Sequence, residues 1–280
     1  TVLRIEPTAT PRRIAVVGAG PGGLACAVTA AQRGHDVTLF EADDRIGGQF
    51  NYAVKIPGKE EFAETLRYFR NALLDAGVSV KLGARVTADE LSGFDEVVLA
   101  TGVTPRVPDL PGIDHPKVVS YLQVLRDHVP VGRRVAILGA GGIGFDVAEY
   151  LTQNGPSAST QPDLFYSQWG IDRAHATRGG VVPAQHTPPA REVLLLQRKD
   201  TKVGQGLGKT TGWIHRTELK NRGVRMVSGV TYERIDDAGL HVVIDEQPQV
   251  LAVDTIVLCT GQEPQRELLA DVQALGVAFQ

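Results

Sequence analysis

The chain reads as α/β, with two Rossmann-like dinucleotide-binding domains, one inserted into the other. Three observations predict this. Gly18-Ala19-Gly20-Pro21-Gly22-Gly23 and Gly139-Ala140-Gly141-Gly142-Ile143-Gly144 each spell G-x-G-x-x-G. Each follows an apolar run (Ile14 to Val17, then Val135 to Leu138) and precedes a helix-forming stretch, the context that gives this motif a mechanism. One glycine makes a tight turn, a second lets backbone approach a pyrophosphate, and a third lets helix and strand pack closely. Finally, Val97-Val98-Leu99-Ala100-Thr101-Gly102-Val103-Thr104-Pro105 is echoed by Ile256-Val257-Leu258-Cys259-Thr260-Gly261-Gln262-Glu263-Pro264. Each half therefore runs from a glycine fingerprint to an apolar strand closed by Thr-Gly-x-x-Pro, an internal repeat.

The elements follow in order. Residues 13–17 read as a strand, and 22–34 as a helix with a glycine stop. Residues 36–40 make a second strand ending at Glu41, which places a carboxylate where a ribose hydroxyl needs an acceptor. Phe62, Leu66, Phe69 and Leu73 recur at helical spacing within 59–76. Residues 78–82 and 94–100 are further strands. Pro105 to Pro116 holds four prolines and reads as a crossing between domains. The pattern then restarts with a strand at 134–138, a helix at 145–151 and a strand at 191–196. Residues 152–190, rich in Pro, Ser, Gln and Gly, are too long for a plain connection and read as an insertion, functional or mobile. Later strands are expected at 224–227, 240–244 and 255–259. The domains so delimited are 1–114 with 262–280, and the inserted 115–261.

Length and composition agree with two ordinary domains. The chain has 280 residues, is 42% hydrophobic and carries a net charge of -3. That balance does not suggest a nucleic-acid face. No apolar run is long enough to span a bilayer, and the N-terminal residues have no signal-peptide core. The two cysteines, Cys26 and Cys259, form no C-x-x-C, which argues against a dithiol or metal centre built from them. A reducing, cytoplasmic setting is expected. The opening and closing residues read as cut ends, so a longer polypeptide is expected.

Two dinucleotide loops in one chain point to hydride transfer between two dinucleotides. The strand ends distinguish them. Glu41 closes the second strand of the first half, while Gln197-Arg198-Lys199 follows the matching strand of the second. An acid there accepts from a free 2′-hydroxyl and repels a 2′-phosphate; two cations do the reverse. Thr101 and Gly102 fall at the carboxyl end of a strand, where open α/β sheets bind ligands; a hinge is the other reading.

Long runs carry a resemblance. They are Arg13-Ile14-Ala15-Val16-Val17-Gly18-Ala19-Gly20-Pro21, Ile46-Gly47-Gly48-Gln49-Phe50-Asn51 and Ile56-Pro57-Gly58-Lys59-Glu60-Glu61-Phe62. Further on stand Gly112-Ile113-Asp114-His115-Pro116-Lys117-Val118 and Gly204-Gln205-Gly206-Leu207-Gly208-Lys209-Thr210-Thr211-Gly212-Trp213-Ile214-His215-Arg216. The chain resembles the two-dinucleotide flavoprotein reductases, and more closely the C-terminal half of the bacterial NADPH-dependent 2,4-dienoyl-CoA reductases. The resemblance implies FAD at Gly18, Gly20, Gly22, Gly23 and Glu41, and NADP(H) at Gly139, Gly141, Gly142, Ile143, Gly144, Arg198 and Lys199.

It further implies that Gly48, Gln49 and Lys59 pass along the flavin side of FAD. Lys59 as an exposed helix-start lysine stays open. The Val86 backbone is expected at the adenine, and Arg45 at the pyrophosphate or in solvent. Trp213 and His215 pack on the nicotinamide half, against another domain, or in the core. The family relay sends electrons on through a 4Fe-4S cluster to FMN in an N-terminal (β/α) barrel of the same polypeptide. An acyl-CoA substrate would be met only there, and neither nucleic acid nor membrane is an expected partner. The other classes are a nucleotide-holding module without turnover, and the input module of a related flavin oxidoreductase or amine demethylase.

Overall fold

Strand side chains alternate between faces, and in Arg13–Val17 both faces are apolar: Ile14, Ala15, Val16 and Val17 are all buried. Such a strand belongs in a parallel sheet covered on both sides. The structure, a computed structural model, describes residues 4–280 and shows that sheet. Its strands run in the order Ala278–Phe279, Glu96–Leu99, Arg13–Val17, Asp36–Phe40, Ser79–Lys81, all parallel. On one face Ile14 and Val16 pack with Leu24, Ala27 and Val28 of helix Pro21–Gln32 and with Leu73 of helix Phe62–Asp75. On the other, Ala15, Val17 and Val97 pack with Val86, Leu91 and Val272.

These elements form one of two compact units, made of Thr1–Val54, Glu60–Thr104 and Glu263–Gln280. Helix Pro21–Gln32 starts with proline at its first turn, where the missing N–H costs nothing. It stops at Gly34, whose φ of +91° suits glycine.

The second unit is Lys55–Lys59 with Pro105–Gln262. Its parallel sheet runs Val118–Ser120, Thr255–Leu258, Arg134–Leu138, Glu192–Leu196, Arg225–Val227. Helices Gly142–Thr152 and Gly212–Asn221 belong to it. One face of the sheet is covered by strands instead of a helix. Ala136, Leu138, Leu196, Ile256 and Leu258 pack with Ile235, Leu240 and Val242 of a three-stranded antiparallel sheet, Thr231–Asp236, Gly239–Ile244 and Gln247–Leu251. Only its central strand was expected from sequence.

The 152–190 insertion is built rather than featureless. It holds helix Pro162–Trp169, capped by Gly170 at φ +64°, and an antiparallel bridge between Ile171 and Val181. Among the described residues no helix is long and apolar enough to cross a membrane.

Candidate dinucleotide-binding sites

In the first loop the chain leaves Val17 and turns at Gly18, whose φ of +107° an L side chain rarely adopts. A Cβ there would strike the Ala100 carbonyl, and one on Gly23 would collide with the Gly18 carbonyl oxygen. These two glycines serve packing. Gly20 and Gly22 differ: a Cβ on either meets nothing within 4 Å. Gly20 is the N-cap, and the first intrahelical bond is Leu24 N–H to Gly20 C=O at 2.9 Å. The N–H groups of Gly22 and Gly23 therefore have no partner inside the helix, at the positive end of its dipole. Open space before unpaired amides is what a pyrophosphate requires.

Glu41 follows the adjacent strand and is half-buried. Its Oε2 accepts from Ala19 N–H at 2.7 Å and its Oε1 from Asp43 N–H at 2.9 Å. One bond to each oxygen leaves lone pairs for hydroxyl donors, since an ionised carboxylate offers about four acceptor sites. Gly47 N–H donates to Ala19 C=O at 2.8 Å, and a Cβ on Gly48 would sit 2.9 Å from Gly20 Cα. The 46–49 run is thereby held against the loop. The Gln49 carbonyl accepts from Tyr52 and Ala53 at 3.0 Å. Arg45 is exposed and held by Asp44 at 2.7 Å.

Val86 buries its side chain in the core, while its backbone N–H and C=O enter no hydrogen bond among the described residues. Thr101 and Gly102 grip the returning chain: Thr101 Oγ1 donates to Gln265 C=O at 2.7 Å, and Gln265 N–H donates to Gly102 C=O at 2.9 Å. Lys59 lies with the second unit, its Nζ 2.6 Å from both carboxylate oxygens of Asp146. The contact seen for Lys59 is thus the fingerprint helix of that unit.

The second loop repeats the first. Gly139 has φ +106° and would strike the Cys259 carbonyl; a Cβ on Gly144 would collide with the Gly139 carbonyl oxygen. Gly141 and Gly142 face open space. Phe145 N–H to Gly141 C=O, 3.1 Å, is the first helical bond, so Gly142, Ile143 and Gly144 keep their N–H groups. Where the first loop has Pro21, Gly142 supplies one amide more.

Gly18 N–H bonds Phe40 C=O and Gly139 N–H bonds Leu196 C=O, which makes Gln197 the counterpart of Glu41. The Gln197 amide donates to Lys199 C=O at 3.1 Å and Thr201 C=O at 2.8 Å, curling the loop that carries Arg198 and Lys199. Both cations are exposed, and neither forms an ion pair among the described residues.

A model of the pyridine nucleotide-disulphide oxidoreductase family matches residues 12–280. The chain belongs to this family. It is accordingly an oxidoreductase module of a family that uses FAD and NAD(P)H. The metal reductase of Desulforamulus reducens is 29% identical over 277 residues, which cover 97% of this chain and 40% of that one. The cinnamate reductase of Clostridium sporogenes is 35% identical over 210 residues, 71% of this chain and 29% of that one. In structure the chain is similar to 2-naphthoyl-CoA reductase, with a TM-score of 0.81 and 27% identity over 99% of this chain and 37% of the other. It spans well under half the length of these relatives.

The family's name mentions disulphides, and this chain has two cysteines. Cys26 and Cys259 are free and lie in different units. Burial pushes both thiols up, away from the reactive thiolate.

Sequence reasoning missed one pair in the oxidoreductase's second unit. Glu149, almost fully buried on helix Gly142–Thr152, lies 2.9 Å from His215 Nδ1. Burial raises the Glu149 carboxyl, and the bond to Glu149 raises His215. The signal was present: Asp146 and Glu149 lie one helical turn apart, and an acid on an apolar helix face needs a partner. Trp213, two residues before, is exposed and meets Trp169 edge-on at 6.5 Å.

Proposed function

We propose that this chain is the NADPH-oxidising, FAD-reducing electron-input module of a longer reductase resembling 2,4-dienoyl-CoA reductase. The rest of that protein would carry FMN in a (β/α) barrel and a 4Fe-4S cluster. In this reading the first unit is the FAD domain and the second an NADPH domain inserted into it. When bound, FAD supplies a two-electron acceptor for the nicotinamide hydride that can release electrons singly.

The chain's own residues divide the work. Gly20, Gly22 and Gly23 present backbone to the FAD pyrophosphate, Glu41 accepts from its ribose, Val86 offers backbone to its adenine, and the 47–49 run lines the flavin side. Gly141, Gly142, Ile143 and Gly144 present amides to the NADPH pyrophosphate, and Arg198 with Lys199 addresses the 2′-phosphate. Lys59, held on Asp146, keeps an ammonium at the second fingerprint helix. The observation that carries the reading is one loop geometry built twice, with Glu41 at one strand end and Gln197-Arg198-Lys199 at the other. The likeness to 2-naphthoyl-CoA reductase supports an acyl-CoA thioester as the substrate met beyond this module.

The test is anaerobic. The protein is loaded with FAD, freed of excess flavin, and titrated with NADPH while the visible flavin band is followed. Retention of yellow colour and bleaching by about one equivalent of NADPH per flavin are expected from the two-electron stoichiometry. A yellow protein inert to NADPH would instead identify a module that holds nucleotide without turnover.

A further inference from the structure

Tyr232 has no assigned role, yet its position is unusual. Its hydroxyl oxygen is buried and has no hydrogen-bond partner among the described residues. Leaving a buried donor without an acceptor is costly, so such groups call for an explanation.

The surroundings supply one. The loop after Glu192–Leu196 is stitched to the segment leading into strand Thr231–Asp236. Gln197 N–H donates to Val227 C=O at 2.8 Å, Val230 N–H to Gln197 C=O at 3.0 Å, and Gly229 N–H to Lys199 C=O at 2.9 Å. Tyr232 comes two residues after Val230, and its ring packs on the core that contains Leu196 and Val230. A register irregularity follows between Tyr232 and Arg234, leaving Glu233 and Arg234 exposed while Tyr232 stays inward. Bulges commonly re-aim side chains in this way. The charge that reaches the phenol is that of Arg198. Burial holds the phenol's proton on and outweighs the opposing pull of Arg198, so it remains a donor.

Arg198 and Lys199 cannot accept from this O–H, and the loop's carboxylate, Asp200, makes no bond to it. The acceptor that suits a buried O–H facing the charge of Arg198 is an anion that this cation attracts. We propose that the Tyr232 hydroxyl donates to the 2′-phosphate of NADPH beside Arg198 and is thereby a determinant of nucleotide choice. This rests on the reading of the second unit as the NADPH site.

The experiment uses 2′,5′-ADP and 5′-ADP as probes, titrated calorimetrically into the full chain, and needs no flavin. Tyr232→Phe removes one oxygen and keeps the ring. It should weaken 2′,5′-ADP about tenfold or more, the scale of a hydrogen bond to a charged group, and leave 5′-ADP unchanged. The melting temperature should hold or rise, since an unpartnered buried group is removed. Arg198→Ala should weaken the same probe, and the double variant should lose less than the sum of the two, because both touch one phosphate. Unchanged 2′,5′-ADP binding in Tyr232→Phe overturns the proposal. So does an equal loss for both probes, which would mark Tyr232 as general support. A wild type with no preference for 2′,5′-ADP overturns the NADPH reading itself, a result visible before any variant is made.

Discussion

The Thr101 hydroxyl donates to the Gln265 carbonyl at 2.7 Å, and the Thr260 hydroxyl donates to the Arg106 carbonyl at 2.8 Å. Each is completed by a backbone bond, Gln265 N–H to Gly102 C=O at 2.9 Å and Arg106 N–H to Gly261 C=O at 3.0 Å. The Thr-Gly-x-x-Pro repeat is thus a pair of equivalent latches, one in each unit. Thr101→Val keeps the shape and removes the donor, and should cost about 1 kcal/mol. Thr101→Ser should restore most of it. Urea unfolding followed by circular dichroism measures both; a Val variant as stable as wild type would deny the latch.

The glycines of each loop fall into two classes, and substitution should separate them. Gly23→Ala forces a Cβ onto the Gly18 carbonyl, so folding itself should suffer, with several kcal/mol at stake from overpacking. Gly20→Val places its side chain in open space, so the fold should survive while the approach of a pyrophosphate is blocked. Melting curves together with flavin retention distinguish the two. Normal FAD binding by Gly20→Val would show that the loop does not face the cofactor.

Glu41→Ala removes a carboxylate that holds Ala19 and Asp43 and faces the proposed ribose. FAD affinity should fall by about 1.5–3 kcal/mol, the range for hydrogen bonds to a charged group. Flavin fluorescence on dilution gives the dissociation constant. Unchanged retention would reassign Glu41 to shaping the loop alone.

Arg198→Ala/Lys199→Ala should abolish most discrimination between NADPH and NADH. The loss should fall on NADPH and leave NADH nearly untouched, because a 2′-hydroxyl needs neither cation. Rates of flavin reduction by each nucleotide test this, and a wild type that uses both equally would refute it.

The Glu149–His215 pair should make stability fall as pH rises. His215 holds its proton more tightly when folded because Glu149 accepts from it, and burial raises Glu149 in the same sense. Both groups bind protons better in the folded state, so the slope is negative. The His215 contribution is complete below the unfolded imidazole value of about 6.5 and is lost as pH climbs through the higher folded value. Lys59, Asp146 and Glu218 are the neighbouring charges. Melting temperatures above neutrality should decline more steeply in wild type than in Glu149→Gln. Parallel slopes would show that the pair does not titrate there.

What was legible in the sequence was what local chemistry dictates. The strand over 36–40 and its closing Glu41, both glycine loops, and the stop at Gly34 follow from periodicity and backbone freedom. Hairpins carried by unusual turns were not legible. Gly239–Ile244 and Gln247–Leu251 join through Asp245 and Glu246, both at positive φ, where Asn-Gly would have announced the turn. Helix Pro162–Trp169 was hidden by its polar flanks, although Pro162 at its start and Gly170 at its end were its signals. Asp146 and Glu149, one helical turn apart, announce that partners are needed, but Lys59 and His215 lie far off in the chain and no spacing rule names them.

The parallel sheet of the first unit has a temporal consequence. Its member Ala278–Phe279 pairs with Glu96–Leu99, so on the ribosome the whole of Pro105–Gln262 emerges before that pairing can form. Until then Glu96–Leu99 is a bare, largely apolar edge, the kind of template that invites pairing with another nascent chain. The second unit is nearly continuous in sequence and can close while this edge waits. The length of the intervening stretch therefore sets how long that edge waits during synthesis.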